Sequence, residues 1–358
     1  MTPIFENVEI KQSQVGEHMQ AFAEQHDIMT TPQRALIGSY RGDKILLGTP
    51  LLKFYLDQGL VVSRVHWAIQ WRSHSWLEPF ADFVSTSRRA ADADPNQKRE
   101  TGETAKLVGN AGFGRFIMDV TRHQEVRYKQ DESKVACAIN SFFFHDLEEL
   151  SEEVFELKMF KKKIKCDLPI QIGFFVFTYA KLRMLEFYHH CIDAFLDRRE
   201  LQYLEMDTDS AYMSLAGDSL EELVKPDKRA EFAALQHQWF PRHDTPEHAA
   251  YDKRKPGVFK VEWKKDGFMG LNSKTYCCWG TESNKASCKG ISKNLNDPQK
   301  EVYLNVLQTR QSRSGENRGF RVVDNKVLTY AQHQTGFSYF YPKRKVLEDG
   351  VSTVPLDV

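Results

Sequence analysis

Asp207 and Asp209 stand one residue apart in the stretch Tyr203-Leu204-Glu205-Met206-Asp207-Thr208-Asp209-Ser210-Ala211-Tyr212-Met213. Like charges crowded into a small volume are costly unless a cation sits between them, so an Asp-x-Asp tip reads as a Mg2+ or Mn2+ site. Taken alone, the same string fits a solvated acidic turn. Two runs must position the pair. The β-favouring residues 201–206 and 211–215 flank the polar turn 207–210, where Asp and Ser side chains bond nearby backbone. The pattern predicts a hairpin with both carboxylates at its tip.

A second group of polar side chains lies upstream. A helical hairpin is expected there, with helices over 76–91 and about 97–118 and a turn at 92–95. On the second helix Lys106, Asn110 and Phe113 recur at i, i+4 and i+7 and so share a face. Gly109, Gly112 and Gly114 each lower helix propensity by about 1 kcal/mol. They permit close approach of another backbone or a ligand; the alternative is a helix that ends near 112–114.

The third group is cationic. Between Lys253 and Lys293 ten Lys or Arg (253, 254, 255, 260, 264, 265, 274, 285, 289, 293) face three acids, Glu262, Asp266 and Glu282. Phe259, Trp263, Phe268, Tyr276 and Trp279 are interleaved among them. Basic residues alternating with aromatics are the footprint of a nucleic-acid track, with a solvated basic sheet as the alternative. A second such patch spans 337–345.

Bulk properties bound the reading. The 358 residues carry 49 basic and 49 acidic side chains, so any nucleic-acid surface must come from local clustering. The longest apolar run, 172–180, is too short to span a bilayer, and no membrane partner is expected. Residues 1–20 lack a basic-then-apolar signal pattern. Six cysteines without a Cys-x-x-Cys pair predict reduced, intracellular thiols rather than disulfides or structural zinc, His189, His190 and Cys191 being helix neighbours that point apart. The compartment, whether nucleus, organelle or viral replication site, is not specified.

The remaining elements follow from periodicity and punctuation. Pro50 and Gly59 bracket a helix. Residues 61–70 alternate and predict a strand. Strands are also expected over 133–144 and 153–162, around the acidic run 146–156, which abuts the basic run 158–165. Opposite charge blocks side by side suggest a salt-bridged surface. An amphipathic helix is expected over 178–195, and Ser219 with Glu222 forms a capping-box pattern over 219–224. No internal repeat is visible.

Together, an acid tip, a Lys/Asn helix and a basic-aromatic tail suit phosphoryl or nucleotidyl transfer, which needs cations on a polyphosphate and a positive surface for a strand. At these positions the sequence resembles the family B DNA polymerases of the protein-primed type found in viruses, organellar plasmids and self-synthesising transposons. Asp207-Thr208-Asp209-Ser210 matches the Asp-Thr-Asp-Ser palm motif. Lys106 to Gly114 is similar to the fingers motif Lys-x-x-x-Asn-Ser-x-Tyr-Gly, with Ala111 and Phe113 replacing its Ser and Tyr. Lys274-Thr275-Tyr276 resembles the Lys-x-Tyr element, and Lys289-Gly290 the Lys-Gly element after it. Residues 169–181 resemble the palm segment before the catalytic hairpin. In the family an aromatic and a small residue usually precede the first Asp; here they are Glu205 and Met206.

The resemblance implies a DNA-directed DNA polymerase, a nucleotidyltransferase of DNA replication that extends a primer by a two-metal mechanism. Asp207 and Asp209 would be catalytic and bind magnesium or manganese. Lys106, Asn110, Phe113 and Gly114, with Arg88, Arg89 and Lys98, would bind the incoming dNTP. Lys274, Tyr276, Lys289, Gly290 and Lys293 would hold the DNA primer-template, and a terminal protein could act as primer. The implied fold is α+β: a polymerase-like palm with an antiparallel sheet (121–250), a helical fingers hairpin (76–120), a β-rich thumb and tail (251–358), and a palm-associated segment (1–75). The family's other palm motif, an Asp shortly before Ser/Asn-Leu-Tyr, is not found, nor is an exonuclease region, so the chain is expected to be the C-terminal portion of such an enzyme. The alternatives are an inactive nucleic-acid-binding remnant, and another metal-dependent phosphotransferase or nuclease using Asp207 and Asp209.

Overall fold

The computed structural model describes residues 4–28, 33–94, 96, 98–281, 284–323 and 326–356; within these, the side chains of 4–6, 12, 33, 98, 99 and 321–323 are outside the description. The fold is α+β, and its sheets are small and antiparallel.

Strand β1 (Ile4–Ile10) pairs with β2 (Gln33–Ser39), with α1 (Glu17–Gln25) between them. These elements share one core with the C-terminal third: Met19, Phe22 and Ile37 pack with Met269, Cys277, Tyr303, Val306 and Phe337. Helix α2 (Thr49–Asp57) starts with Pro50 in its first turn, and Gly59 beyond its end has φ +86°. Both residues act as expected, the proline preset for a first turn and the glycine accepting a left-handed backbone. Leu51, Phe54 and Tyr55 of α2 pack around Leu185.

The strand expected over 61–70 is not formed. Residues 60–75 are irregular, and Val61, Val65, Trp67 and Ile69 are between 61% and 89% exposed. The alternation is real, but a strand needs a neighbour to complete its ladder, and none of the described strands pairs here. Leu60 packs at its start against the α2 cluster, and Trp71 has its ring edge-on to Phe175 at 5.6 Å.

The helical hairpin is present as α3 (Glu78–Ala93) and α4 (Glu103–Phe116), joined through a π-helical turn at Lys98–Gly102; Pro95 and Gln97 lie outside the described residues. Its glycines let the two helices touch. A Cβ added at Gly112 would lie 3.2 Å from Phe80 Cζ, and one at Gly109 3.2 Å from Val84 Cγ1.

Strands β3 (Gln124–Lys129), β4 (Phe144–Ser151) and β5 (Val154–Phe160) form a sheet in the order β3-β5-β4. The strand expected over 133–144 is replaced for the most part by α5 (Glu132–Ile139). Asp131 caps it, its Oδ1 accepting the N–H of Ser133 at 2.9 Å and of Lys134 at 3.4 Å. An N-cap of this kind starts a helix regardless of the β-branched residues that follow. Across β4 and β5, Lys158 Nζ meets Asp146 Oδ2 at 2.9 Å and lies 3.8 Å from Glu156 Oε1, so the two charge runs meet at Lys158.

Helix α6 (Ile170–Glu186) continues through a π-helical turn (Phe187–Ile192) into α7 (Asp193–Phe195). It begins eight residues earlier than amphipathicity suggested, because the run 172–180 is apolar all round and carries no polar stripe, although Phe177 and Tyr179 are exposed. Gly173 is the crossing point: an added Cβ would lie 1.7 Å from Ile117 Cγ2. Strands β6 (Leu201–Asp207) and β7 (Ser210–Leu215) follow. Beneath them Phe187, Cys191, Ile192 and Phe195 pack with Phe232 and Trp239. The capping-box pattern at 219–224 ends in a turn, not a helix: Glu222 N–H donates to Ser219 Oγ at 3.4 Å, while Glu222 Oε2 accepts Asp218 N–H at 3.1 Å.

Short helices α8 (Arg229–Leu235) and α9 (Pro246–Asp252) lead to a sheet ordered β10-β9-β8, made of β8 (Gly267–Asn272), β9 (Thr275–Trp279) and β10 (Lys285–Ser287). The chain closes with α10 (Lys293–Asn296), α11 (Lys300–Thr309), the ribbon β11 (Arg313–Val323) and β12 (Lys326–Phe337), and the small pair β13 (Lys345–Val346) and β14 (Thr353–Val354). Among the described residues no helix is long and apolar enough to cross a membrane.

Candidate active site and nucleic-acid interface

The acid tip is built as its residue types require. Asp207 pairs with Ser210, leaving Thr208 and Asp209 as a two-residue loop. Asp209 N–H donates to Asp207 C=O at 2.6 Å, an i to i+2 bond, and Thr208 has φ +53°. A β-branched residue at positive φ is a backbone outlier, and such strain gathers where structure holds a functional group in place. The tip exposes Asp209 and leaves Asp207 half-buried.

A second hairpin faces it. Asn272 pairs with Thr275, so Ser273 and Lys274 form the β8–β9 loop, with Lys274 at φ +62°. Lys274 reaches across to the acid tip in two ways. Its Nζ lies 3.0 Å from Asp207 Oδ2, and its backbone N–H donates to Glu205 Oε1 at 3.2 Å. One strand register further in, the hydroxyls of Tyr212 and Tyr276 are 2.7 Å apart. The Tyr212 ring also contacts Phe268 and Trp263, and Lys285 Nζ lies 5.2 Å from the Trp263 ring centre. Burial raises the Glu205 carboxyl above its ordinary range, against the Lys274 N–H that favours the charged form; the nearby Asp207 adds to the rise. Glu205, Tyr212, Trp263 and Lys285 complete this junction and were not singled out as site residues. The alternation of Glu205, Asp207 and Tyr212 along two strands of one hairpin was the signal available in the sequence.

The helical hairpin presents Lys106 and Asn110 exposed on α4, and Phe113 packs edge-on against Phe177 of α6 at 5.7 Å. Lys106 Nζ lies 3.6 Å from Glu103 Oε2. Gly114 has open space where a Cβ would stand. The α3 arginines lie where this hairpin meets the α9 end. Arg89 stacks its guanidinium on Tyr251 at 4.3 Å. Arg88 is held below its ordinary range by burial and by the Arg254 guanidinium. Arg254 makes a two-pronged ion pair with Asp92, at 2.7 and 2.8 Å. The Lys98 side chain lies outside the described residues.

Further along the basic-aromatic region, Lys289 N–H donates to Thr275 Oγ1 at 3.3 Å, and Gly290 takes φ +86°. Burial and the neighbouring Lys289 hold the Lys343 ammonium below its usual value. Lys293 is exposed at the start of α10. Not all the cluster is free for a strand: Lys253 and Arg254 lie on Asp92, and Lys264 Nζ donates to the Asp218 carbonyl at 2.8 Å.

No protein-family model, curated protein or solved structure matches the chain.

A divalent cation at this tip can be tested against the donors present. Asp207 and Asp209 supply carboxylates, but among the described residues no group of three or more His, Cys, Asp or Glu side chains is gathered to hold a metal. Asp207 already has the Lys274 ammonium against one oxygen. The donor set does not complete a two-metal centre, which rests on carboxylates from more than one segment.

Proposed function

We propose that this chain acts on DNA as a DNA-polymerase-type nucleotidyltransferase, gripping the primer-template near the growing end. The observation that carries the reading is the meeting of two hairpin tips, Lys274 on Asp207 at 3.0 Å and Tyr212 on Tyr276 at 2.7 Å. Motifs 64 residues apart in sequence are thereby joined in one place. A strand held by cations and aromatic faces next to a carboxylate pair is the arrangement that strand extension needs. In this reading Lys274, Tyr276, Lys289 and Lys293 carry the duplex. Lys106, Asn110 and Phe113 face the incoming nucleotide, with Arg88 and Arg89 lending positive charge behind them. Magnesium or manganese is the cofactor of this reading, with Asp207 and Asp209 supplying part of its ligands; no step through a metal is derived from the residues present.

The incomplete donor set favours a second reading in which the chain binds primer-template without catalysing extension. Primer extension with Mg2+ or Mn2+, run beside salt-dependent binding of the same primer-template, separates the two. Extension that requires Asp209 supports the first reading, and binding without extension the second. Absence of both would remove the nucleic-acid reading altogether.

A further inference from the structure

The exposed stretch after α2 alternates without a break over 64–72, where the sequence reads Arg-Val-His-Trp-Ala-Ile-Gln-Trp-Arg. From Leu60 to Ser75 the backbone makes no bend, turn or helix, so it runs extended. Successive side chains of an extended chain point to opposite sides. Val65, Trp67, Ile69 and Trp71 therefore share one side, and Arg64, His66, Ala68, Gln70 and Arg72 the other. Every residue from Val61 to Trp76 is exposed.

The backbone is as open as the side chains. No main-chain hydrogen bond joins residues 61–73 to another described residue. An extended run with a bare row of N–H and C=O groups is a template on which another strand can pair. The apolar side is rooted in the fold at one end, where Trp71 meets Phe175 of α6. On the other side, Arg64 and Arg72 have no ion pair among the described residues. No Asp or Glu stands between Asp57 and Glu78 in the sequence.

We propose that residues 61–72 take up an extended segment of a partner protein as an added strand, its residues alternating between apolar and acidic. The bare backbone supplies the main-chain hydrogen bonds of strand addition. The apolar row meets the partner's apolar side chains, and the two arginines select its carboxylates, as opposite charges do across paired strands. Charge decides the occupant. A second copy of this chain would match the apolar row but bring two more arginines and no carboxylate to the other side. The surface uses none of the residues assigned to DNA or nucleotide, so it stands apart from the polymerase reading.

The test is fluorescence anisotropy of the full chain with a labelled ten-residue peptide of alternating valine and glutamate, beside one of alternating valine and lysine. The glutamate peptide should bind at least tenfold more tightly than the lysine peptide. Arg64→Glu with Arg72→Glu should reverse that order. Ala68→Pro and Ile69→Pro, made separately, each remove one N–H from the ladder. Successive N–H groups face opposite edges of a strand, so at least one of the two should weaken the glutamate peptide tenfold or more. Melting curves of all these variants should match the parent, because the side chains changed are exposed. Equal binding of the two peptides, or no binding of either, would overturn the proposal. So would an order of preference that the arginine variant leaves unchanged, or parental binding by both proline variants. A dimer of the chain alone in sedimentation velocity, dissolved by either proline, would overturn it in favour of self-pairing.

Discussion

The Lys274 ammonium and the Asp207 carboxylate meet across two hairpin loops, Nζ to Oδ2 at 3.0 Å, each loop carrying a non-glycine residue with positive φ. Both side chains remain partly exposed, and pairs of that kind contribute at most about 1 kcal/mol to stability. Lys274→Ala should therefore leave the melting temperature nearly unchanged while weakening primer-template binding about tenfold, the scale of one lost charge-assisted contact. A large drop in stability with binding intact would make Lys274 a structural strut.

Tyr212 and Tyr276 give a cleaner separation of structure from function. Removing one hydroxyl leaves the other unpaired, which costs about 1 to 3 kcal/mol, whereas removing both can be nearly neutral. Tyr276→Phe should destabilise the chain by about 1 kcal/mol, and Tyr212→Phe with Tyr276→Phe should recover most of it in urea denaturation. Additive losses would mean that the 2.7 Å contact contributes no coupling.

Glu205 should show itself in the pH dependence of stability. Its folded-state carboxyl is raised by burial, so the folded chain holds its proton more tightly than the unfolded one. Stability from this residue is full below the ordinary glutamate range and is lost as pH rises through the folded value. Glu205→Gln keeps an oxygen to accept the Lys274 N–H and removes that loss. Melting temperatures between pH 4 and pH 8 should fall less steeply in the variant than in the parent; parallel curves would contradict the assignment.

Asp252 behaves in the opposite sense. Its side chain is fully buried, with Arg242 Nε at 2.8 Å from Oδ2 and Nη2 at 3.0 Å from Oδ1. These bonds hold its carboxyl well below the usual range. Its contribution is present above the ordinary aspartate value and is lost as acid protonates the folded pair. Asp252→Ala should cost about 1 to 3 kcal/mol, since the Arg242 backbone N–H and its partly exposed guanidinium lose the buried carboxylate they bond. Equilibrium unfolding at pH 7 and pH 3 should show the gap to the parent narrowing in acid.

Gly173 tests the packing that places α6 behind the acid hairpin. A methyl group there would lie 1.7 Å from Ile117 Cγ2 and 3.0 Å from its Cβ, so Ile117 must shift to admit it. Gly173→Ala should destabilise the chain by about 1 to 3 kcal/mol, as overpacking does, and Ile117→Ala should recover part of that loss. A variant as stable as the parent would mean that α4 and α6 do not cross as described.

The readability of the chain divides along physical lines. The acid hairpin, α2 and the helical hairpin were legible because local chemistry specifies them: turn residues between β-favouring runs, a proline and a glycine at helix ends, and residues repeating at i, i+4 and i+7. The segment 61–70 misled because alternation reports a preference for pairing, not the presence of a partner. Residues 133–144 misled because Asp131 captures two backbone N–H groups and so decides for a helix. The early start of α6 was hidden because the run 172–180 is apolar all round and shows no polar stripe. In the candidate site, the residue types at 207, 209, 274 and 276 were visible, but their meeting was not. Contacts between Tyr212 and Tyr276 span 64 residues and depend on how two hairpins dock. Glu205 was legible only as a departure from a motif, and its bond to the Lys274 N–H gives it a place in the junction.

Primer extension by the chain, with Mg2+ and then Mn2+, should be run beside Asp209→Asn while binding of the same primer-template is followed by anisotropy. Salt-sensitive binding is expected of both proteins, with any extension confined to the parent, because Asp209 is the exposed carboxylate of the tip. Extension that persisted undiminished in Asp209→Asn, or a parent chain that failed to bind primer-template at low salt, would contradict it.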